Sequence, residues 1–275
     1  MSDPRSSSEE PASPAIDAFG LSDVGKVRPR NEDHFFVASL RKSLQVQRSS
    51  LEHPRALENR NRREAHLFVV ADGVGQSLEG GTASEVAVEA FVEHISETTG
   101  SYYGADVEEE LDFLERLERS VAKIDAKVKE KGGSTTLTLV FLIWPRGYVV
   151  HIGDSRGYYL RGGRLKRFTR DQTMGELLVD EGVMSEEEAR TASHGKALFS
   201  ALGTRADAEL GLIDFQPGDT LLLCTDGLTR YVDDGELGPL LAGATSAEQA
   251  TRQLVDLALE RGGRDNVTAV VARMG

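Results

Sequence analysis

Five aspartates share one local setting: each stands at the edge of a short apolar run of strand-like composition. Asp33 precedes HFFVASL and Asp265-Asn266 precede VTAVVARM, whereas Asp72 closes LFVVAD, Asp154 closes YVVHIGD and Asp226 closes TLLLCTD. Neighbouring antiparallel strands run in opposite directions, so the end of one lies beside the start of the next. All five carboxylates can therefore gather at a single rim of a sheet. Two bare charges about 4 Å apart repel by roughly 4 kcal/mol at an effective dielectric near 20, so such a cluster calls for divalent cations. Carboxylates, backbone carbonyls and water are hard oxygen donors that suit Mg²⁺ or Mn²⁺. No HExxH pattern or cysteine pair points to zinc. Gly73 and Gly227 directly follow two of the aspartates, where glycine permits a sharp turn that brings a carbonyl to a metal. Two ions roughly 3.5–4 Å apart can hold a shared water, lower its pKa and aim it at phosphorus.

Phosphate also needs a cation that does not titrate. Arg28, five residues before Asp33 on the same loop, is the candidate for a bidentate guanidinium clamp. The competing account makes it one more surface arginine in a basic patch with Lys26 and Arg30. Of the histidines, His34 adjoins Asp33 but alternates away from it along a strand, His151 sits mid-strand as a core histidine, and His194 falls in a weakly patterned segment.

The elements that must position these groups come in blocks. Thr82 with Glu85 reads as a capping box. Ala83, Val86, Ala87, Ala90, Phe91 and Ile95 then fall on one helix face. Val107, Leu111, Leu114, Leu117, Val121, Ile124 and Val128 mark a second helix, ended by Gly132-Gly133. Two long helices in series pack as an antiparallel pair on one sheet face. From Ser134 the pattern is β again: STTLTLVFLIW, a turn at Pro145-Arg146-Gly147, YVVHIGD, and GYYLRGGRLKRF around a Gly162-Gly163 hairpin. Residues 171–192 read as two short helices with a capping box at Ser185 and Glu188. LGLIDF and TLLLCTDG flank a Pro217-Gly218-Asp219 turn, and Ser246 with Gln249 caps a helix before the final strand. Blocked strands and helices argue for antiparallel sheets with helices outside, an α+β plan. The basic stretch 38–66 could extend a hairpin through Leu40, Leu44, Val46 and Leu51 to a tip at Asn59-Arg60-Asn61; it reads as an exposed insertion or as a docking surface for an acidic partner.

The whole chain narrows the function classes. Its 275 residues suffice for one large domain, expected over residues 17–275 after a Ser-, Pro- and Glu-rich tail at 1–16 that reads as disordered. A net charge of -13 disfavours nucleic acid and anionic membranes as partners. The single cysteine, Cys224, reads as a small buried hydrophobe and favours a reducing compartment, so a cytoplasmic location is expected. The longest apolar run, Leu137 to Trp144, is far too short to span a bilayer, and the N-terminus lacks a signal-peptide layout.

The ordered segments RPRNED, VVADGVG, GSTTLTLV, HIGDSRGYYL, CTDGL and RDNVTAVV resemble the PPM family, the metal-dependent protein Ser/Thr phosphatases of type 2C, in its bacterial form. One DG dipeptide means little, but six motifs in order across residues 17–273 are specific. The resemblance implies two antiparallel β-sheets packed as a sandwich with helix pairs on the outside, in α-β-β-α layers. It implies that Asp72 bridges two ions with the Gly73 carbonyl on one. Asp33, Asp226 and Asp265 would complete the centre, Glu32 would hold a coordinated water, and Asp154 with Asp226 would serve a labile third ion. Arg28 matches the phosphate-binding arginine, while Asn266 and Arg156 match loop supports. Two departures stand out. Animal members carry a histidine after the Asp-Gly pair, proposed as general acid, where this chain has Val74, as bacterial members commonly lack it too. Bacterial relatives usually read Asp-His-Ser where this chain has Asp171-Gln172-Thr173, at the root of the segment the family uses as a flap.

The expected activity is hydrolysis of phosphoserine or phosphothreonine in phosphorylated proteins, targets of a Ser/Thr kinase, by in-line attack of a metal-bridging hydroxide in a monomer using Mn²⁺ or Mg²⁺. No Cys-x₅-Arg motif calls for a phosphoenzyme. The alternatives are a catalytically silent phosphoprotein-binding module of the same fold, and a phosphodiesterase or nuclease using the same two-metal chemistry.

Overall fold

The computed structural model describes residues 14–41, 64–74, 83–98, 107–192 and 195–275. The N-terminal tail to residue 13, most of the 38–66 insertion, Thr82 of the expected capping box and His194 lie outside the described residues.

Two antiparallel sheets form the centre. One contains β1 (Ile16–Asp23), β11 (Val267–Met274), β10 (Thr220–Cys224), β7 (Arg156–Arg161) and β8 (Arg164–Arg167), in that spatial order. The other runs β2 (Asp33–Arg41), β3 (Glu64–Val74), β5 (Leu137–Ile143), β6 (Arg146–Ile152) and β9 (Glu209–Asp214), with β4 (Ser134–Thr135) pairing β3. Period-two alternation assigns each strand's two faces to different layers. On β3, Phe68 and Val70 point between the sheets, while Leu67, Val69 and Ala71 face outward. On β10 and β11, Leu221, Leu223, Val270 and Ala272 point between the sheets, and Leu222, Cys224, Ala269 and Val271 face outward.

Helices cover both outer faces. Helix α1 (Ala83–Thr98) buries Ala83, Ala87, Ala90, Phe91 and Ile95 against β2 and β3, and α2 (Val107–Lys131) adds Leu117, Val121, Ile124 and Val128. Gly133 lies against Ala83, and Lys127 pairs with Glu93 at 2.9 Å, so the end of α2 meets the start of α1 and the pair is antiparallel. Two short helices, α3 (Met174–Asp180) and α4 (Glu186–Thr191), follow β8, with the Ser185–Glu188 capping box closed in both directions. On the other face, α5 (Asp226–Thr229), α6 (Asp234–Gly243) and α7 (Ala247–Glu260) seal the first sheet through Leu228, Leu237, Leu241, Leu254 and Val255. The four layers are those expected.

Three local expectations change. The run from Ser134 to Trp144 is interrupted at Thr136, whose side chain takes over a backbone hydrogen bond. The turn after β5 is the two-residue Trp144-Pro145, because Arg146 already pairs with Ile143. Helix α6, which contains Gly235, Gly238 and Pro239, was not foreseen; an Asp233–Glu236 capping box starts it.

Candidate metal centre

Register places Asp33 directly opposite Asp72 on β2 and β3. Asp154 follows β6, Asp226 opens α5 after β10, and Asp265 precedes β11. The five thus come from both sheets, three from one and two from the other, and meet at one end of the sandwich rather than at the rim of a single sheet. The cause is β10–β11: this pair packs behind β2 and β3 and brings Asp226 and Asp265 against them.

Asp33 is 4% exposed. Its Oδ2 accepts hydrogen bonds from the Thr225 and Thr268 hydroxyls, both at 2.8 Å, while its buried Oδ1 has no partner. Burial pushes its pKa up to about 7, opposed by the two threonines and reinforced by Asp226 and Asp265. Asp72 is driven well above the ordinary carboxylate range, first by burial and then by Asp33, Asp226, Asp154 and Asp265 in turn. Burial, then Asp226 and Asp171, push Asp154 up to about 7. Asp226 also rises through burial, against the pull of Arg230. An orphaned buried oxygen amid mutually repelling carboxylates is what a divalent cation with oxygen ligands would satisfy, so the residues present fit Mg²⁺ or Mn²⁺. Among the described residues no three acidic, histidine or cysteine side chains are already closed around an ion position. Two guanidiniums occupy carboxylate oxygens instead.

Those cations are Arg28 and Arg230. Arg28 holds Asp265 bidentately, Nε to Oδ1 at 2.7 Å and Nη2 to Oδ2 at 2.9 Å, with its side chain 50% exposed. Arg230 donates from Nη1 to Asp265 Oδ2 at 2.7 Å and from Nη2 to Asp226 Oδ2. Sequence reasoning missed Arg230. The available signal was its spacing four residues after Asp226, which is helical, but α5 is too short to show periodicity.

The backbone is fixed around the carboxylates. The Asp72 N–H donates to Thr136 Oγ1 at 2.9 Å, and the Asp72 carbonyl accepts from Thr136 N at 2.9 Å and Thr135 Oγ1 at 2.8 Å. Thr136 in turn shares a hydrogen bond with the Ser155 hydroxyl at 2.8 Å, which ties Asp72 to the Asp154 loop. Asn266 accepts from Glu32 N and donates to the Val24 and Arg30 carbonyls, each at 2.9 Å, so it supports the loop carrying Arg28 and Glu32. Gly73 and Gly227 serve close approach rather than a sharp turn. A Cβ on Gly227 would stand 1.8 Å from the Asn266 carbonyl oxygen, and one on Gly73 would stand 2.8 Å from that of Glu32. His34 points away from the carboxylates to the Ser84 hydroxyl at 3.0 Å. His151 is buried between Thr138 Oγ1 at 2.9 Å and the Arg170 carbonyl at 2.7 Å.

The departure at Asp171-Gln172-Thr173 is absorbed by structure. Asp171 takes Arg156 bidentately and also Arg167. Gln172 clips the Asp154 loop, with its Oε1 accepting from Gly153 N at 2.9 Å and its own N–H donating to the Gly153 carbonyl at 2.8 Å. Thr173 caps α3. Val74 is 41% exposed beside Asp72 and offers no proton there.

The family profile described as protein phosphatase 2C matches residues 56–261. The chain is 36% identical over 254 residues to the serine/threonine protein phosphatase PstP of Mycobacterium tuberculosis, covering 91% of this chain and 43% of that protein. The chain therefore spans less than half the length of that relative. The serine/threonine phosphatase stp of Listeria welshimeri is 29% identical over 254 residues, covering 91% of this chain and 92% of that one. Among solved structures, the catalytic domain of PstP in complex with two manganese ions is similar at 32% identity and a TM-score of 0.67, over 94% of this chain and 97% of that one. With the profile matched across most of its length, the chain belongs to the protein phosphatase 2C family.

Proposed function

We propose that this chain is a Mn²⁺- or Mg²⁺-dependent protein serine/threonine phosphatase that removes phosphate from phosphoserine and phosphothreonine in protein substrates. The observation that carries the reading is the buried Asp33, with one oxygen held by two threonines and the other bare amid four more carboxylates. The manganese ions of the similar PstP catalytic domain support it. Asp72 and the Gly73 carbonyl would hold two ions with Asp33, Asp226 and Asp265, Glu32 would act through water, and Asp154 would share a third, labile ion with Asp226. Bound ions would supply an activated water and neutralise phosphoryl charge. Arg28, half exposed at the mouth of the site, would orient the phosphomonoester by turning its fork from Asp265 to phosphoryl oxygens. No side chain at Val74 can protonate the leaving alkoxide. We place the enzyme in the cytoplasm, a location its lone, buried cysteine supports, as a monomer opposing a Ser/Thr kinase in signalling. Among the described residues no helix is long and apolar enough to cross a membrane.

A phosphothreonine peptide, p-nitrophenyl phosphate and a phosphate bis-ester, assayed side by side, test the reading. We expect Mn²⁺-dependent hydrolysis of the two monoesters, abolished by EDTA and lowered on the order of a thousandfold in Asp72→Asn and Asp226→Asn. Preferential cleavage of the bis-ester would indicate a phosphodiesterase. Peptide binding without turnover would indicate a silent binding module.

A further inference from the structure

Arg230 follows α5 and stands four residues after Asp226, so its side chain folds back over the carboxylate that opens that helix. Its guanidinium joins the two carboxylates contributed by β10 and β11, reaching Asp265 Oδ2 at 2.7 Å and Asp226 Oδ2 on its other arm. Asp265 Oδ2 also receives Arg28 Nη2 at 2.9 Å, and Oδ1 receives Arg28 Nε at 2.7 Å. Two guanidinium donors thus converge on Asp265 Oδ2, and a carboxylate oxygen has only two lone pairs. Asp154 feels Arg230 as well, through space.

With both lone pairs of Asp265 Oδ2 taken, an ion can reach that oxygen only when a guanidinium leaves it. A fixed positive charge a few ångströms from an ion also repels it across the poorly screened interior. The Arg230 side chain is 37% exposed and extends from a helix terminus at the surface, so it can swing into solvent. We propose that Arg230 is an internal counterion: it bridges Asp226 and Asp265 in the ion-free protein, is displaced outward when divalent ions bind, and thereby sets ion affinity below what the carboxylates alone would give. The inference rests on the reading of the cluster as a divalent-ion site. It assigns Arg230 a positioning role.

Calorimetric titration with Mn²⁺ of wild type, Arg230→Gln and Arg230→Lys tests this, alongside thermal melts in EDTA. We expect Arg230→Gln to bind Mn²⁺ about tenfold or more tightly than wild type and to melt at a lower temperature when ion-free. Arg230→Lys, which keeps the charge but not the two-armed fork, should lie between them in both measurements. If Arg230→Gln does not survive EDTA, its affinity is read by competition against a chelator from the Mn²⁺-loaded protein. An unchanged or weaker Mn²⁺ affinity in Arg230→Gln would overturn the proposal. Wild type that takes up no Mn²⁺ would instead remove the metal reading on which it rests.

Discussion

At the scale of single residues, the tightest constraint falls on a glycine that carries no chemistry. A methyl group on Gly227 would lie 1.8 Å from the backbone oxygen of Asn266, and backbone cannot yield as a side chain can. Asn266 is itself committed to Glu32, Val24 and Arg30, so any shift passes to the loop bearing Arg28 and Asp33. Gly227→Ala should therefore destabilise the protein by about 3 kcal/mol or more, read as a shift in denaturation midpoint, and should weaken Mn²⁺ binding. Wild-type stability in that variant would show that the 265–266 turn can relax, contrary to this account. The same crowding explains which site residues could be read from sequence. The aspartates stood out because each abuts an apolar run. Thr225, Thr268, Thr136 and Ser155 did not, because a hydroxyl declares a partner only once the packing of the two sheets is known. Arg230 was hidden for a related reason: its partners, Asp226 and Asp265, are 4 and 35 residues away, and only the shorter spacing is local.

At the scale of elements, short apolar runs marked the strands, because β3, β5 and β10 are buried on both faces against different layers. Helices α1, α2 and α7 were equally legible from their apolar stripes, and α7 from its Ser246 cap as well. Helix α6 was not, since Gly235, Gly238 and Pro239 argue against a helix on propensity alone. Packing of Leu237 and Leu241 onto the first sheet overrides that preference, and the capping box supplies the start. The Asp233 side chain accepts from Glu236 N at 3.0 Å, and the Glu236 carboxylate both returns to Asp233 N and pairs with Arg261 at 2.6 Å. With so weak an intrinsic helix, the cap carries more than its usual weight. Asp233→Ala should cost about 1–2 kcal/mol in urea denaturation, whereas Asp233→Asn, which keeps the acceptor, should stay within a few tenths. Equal losses in the two variants would mean that charge, not the capping hydrogen bond, stabilises this start.

At the scale of the whole molecule, the candidate metal centre is also a junction. Asp33 belongs to one sheet, yet its carboxylate is held by Thr225 and Thr268 of the other, and Asp226 and Asp265 face it from that second sheet. Cations bound there would fasten the two sheets at one end of the sandwich, where the apolar layer between them gives way to charge. Without ions, the same carboxylates repel one another inside a chain already at a net charge of -13, and the sandwich carries that strain at its open end. Ions that bind only the folded state stabilise it in proportion to the logarithm of their saturation, about 2.7 kcal/mol at a hundred times the dissociation constant. Thermal melts of the wild type should therefore rise steadily with added Mn²⁺. In Asp33→Asn the buried charge is gone while the oxygen facing the threonines remains, so the ion-free protein should melt no lower than wild type and respond far less to Mn²⁺. A full Mn²⁺ response in Asp33→Asn would place the stabilising ions elsewhere. A sharp drop in its ion-free melting temperature would mean that the carboxylate charge holds the sheets together without ions, which the bare Oδ1 and the raised pKa of Asp33 both argue against.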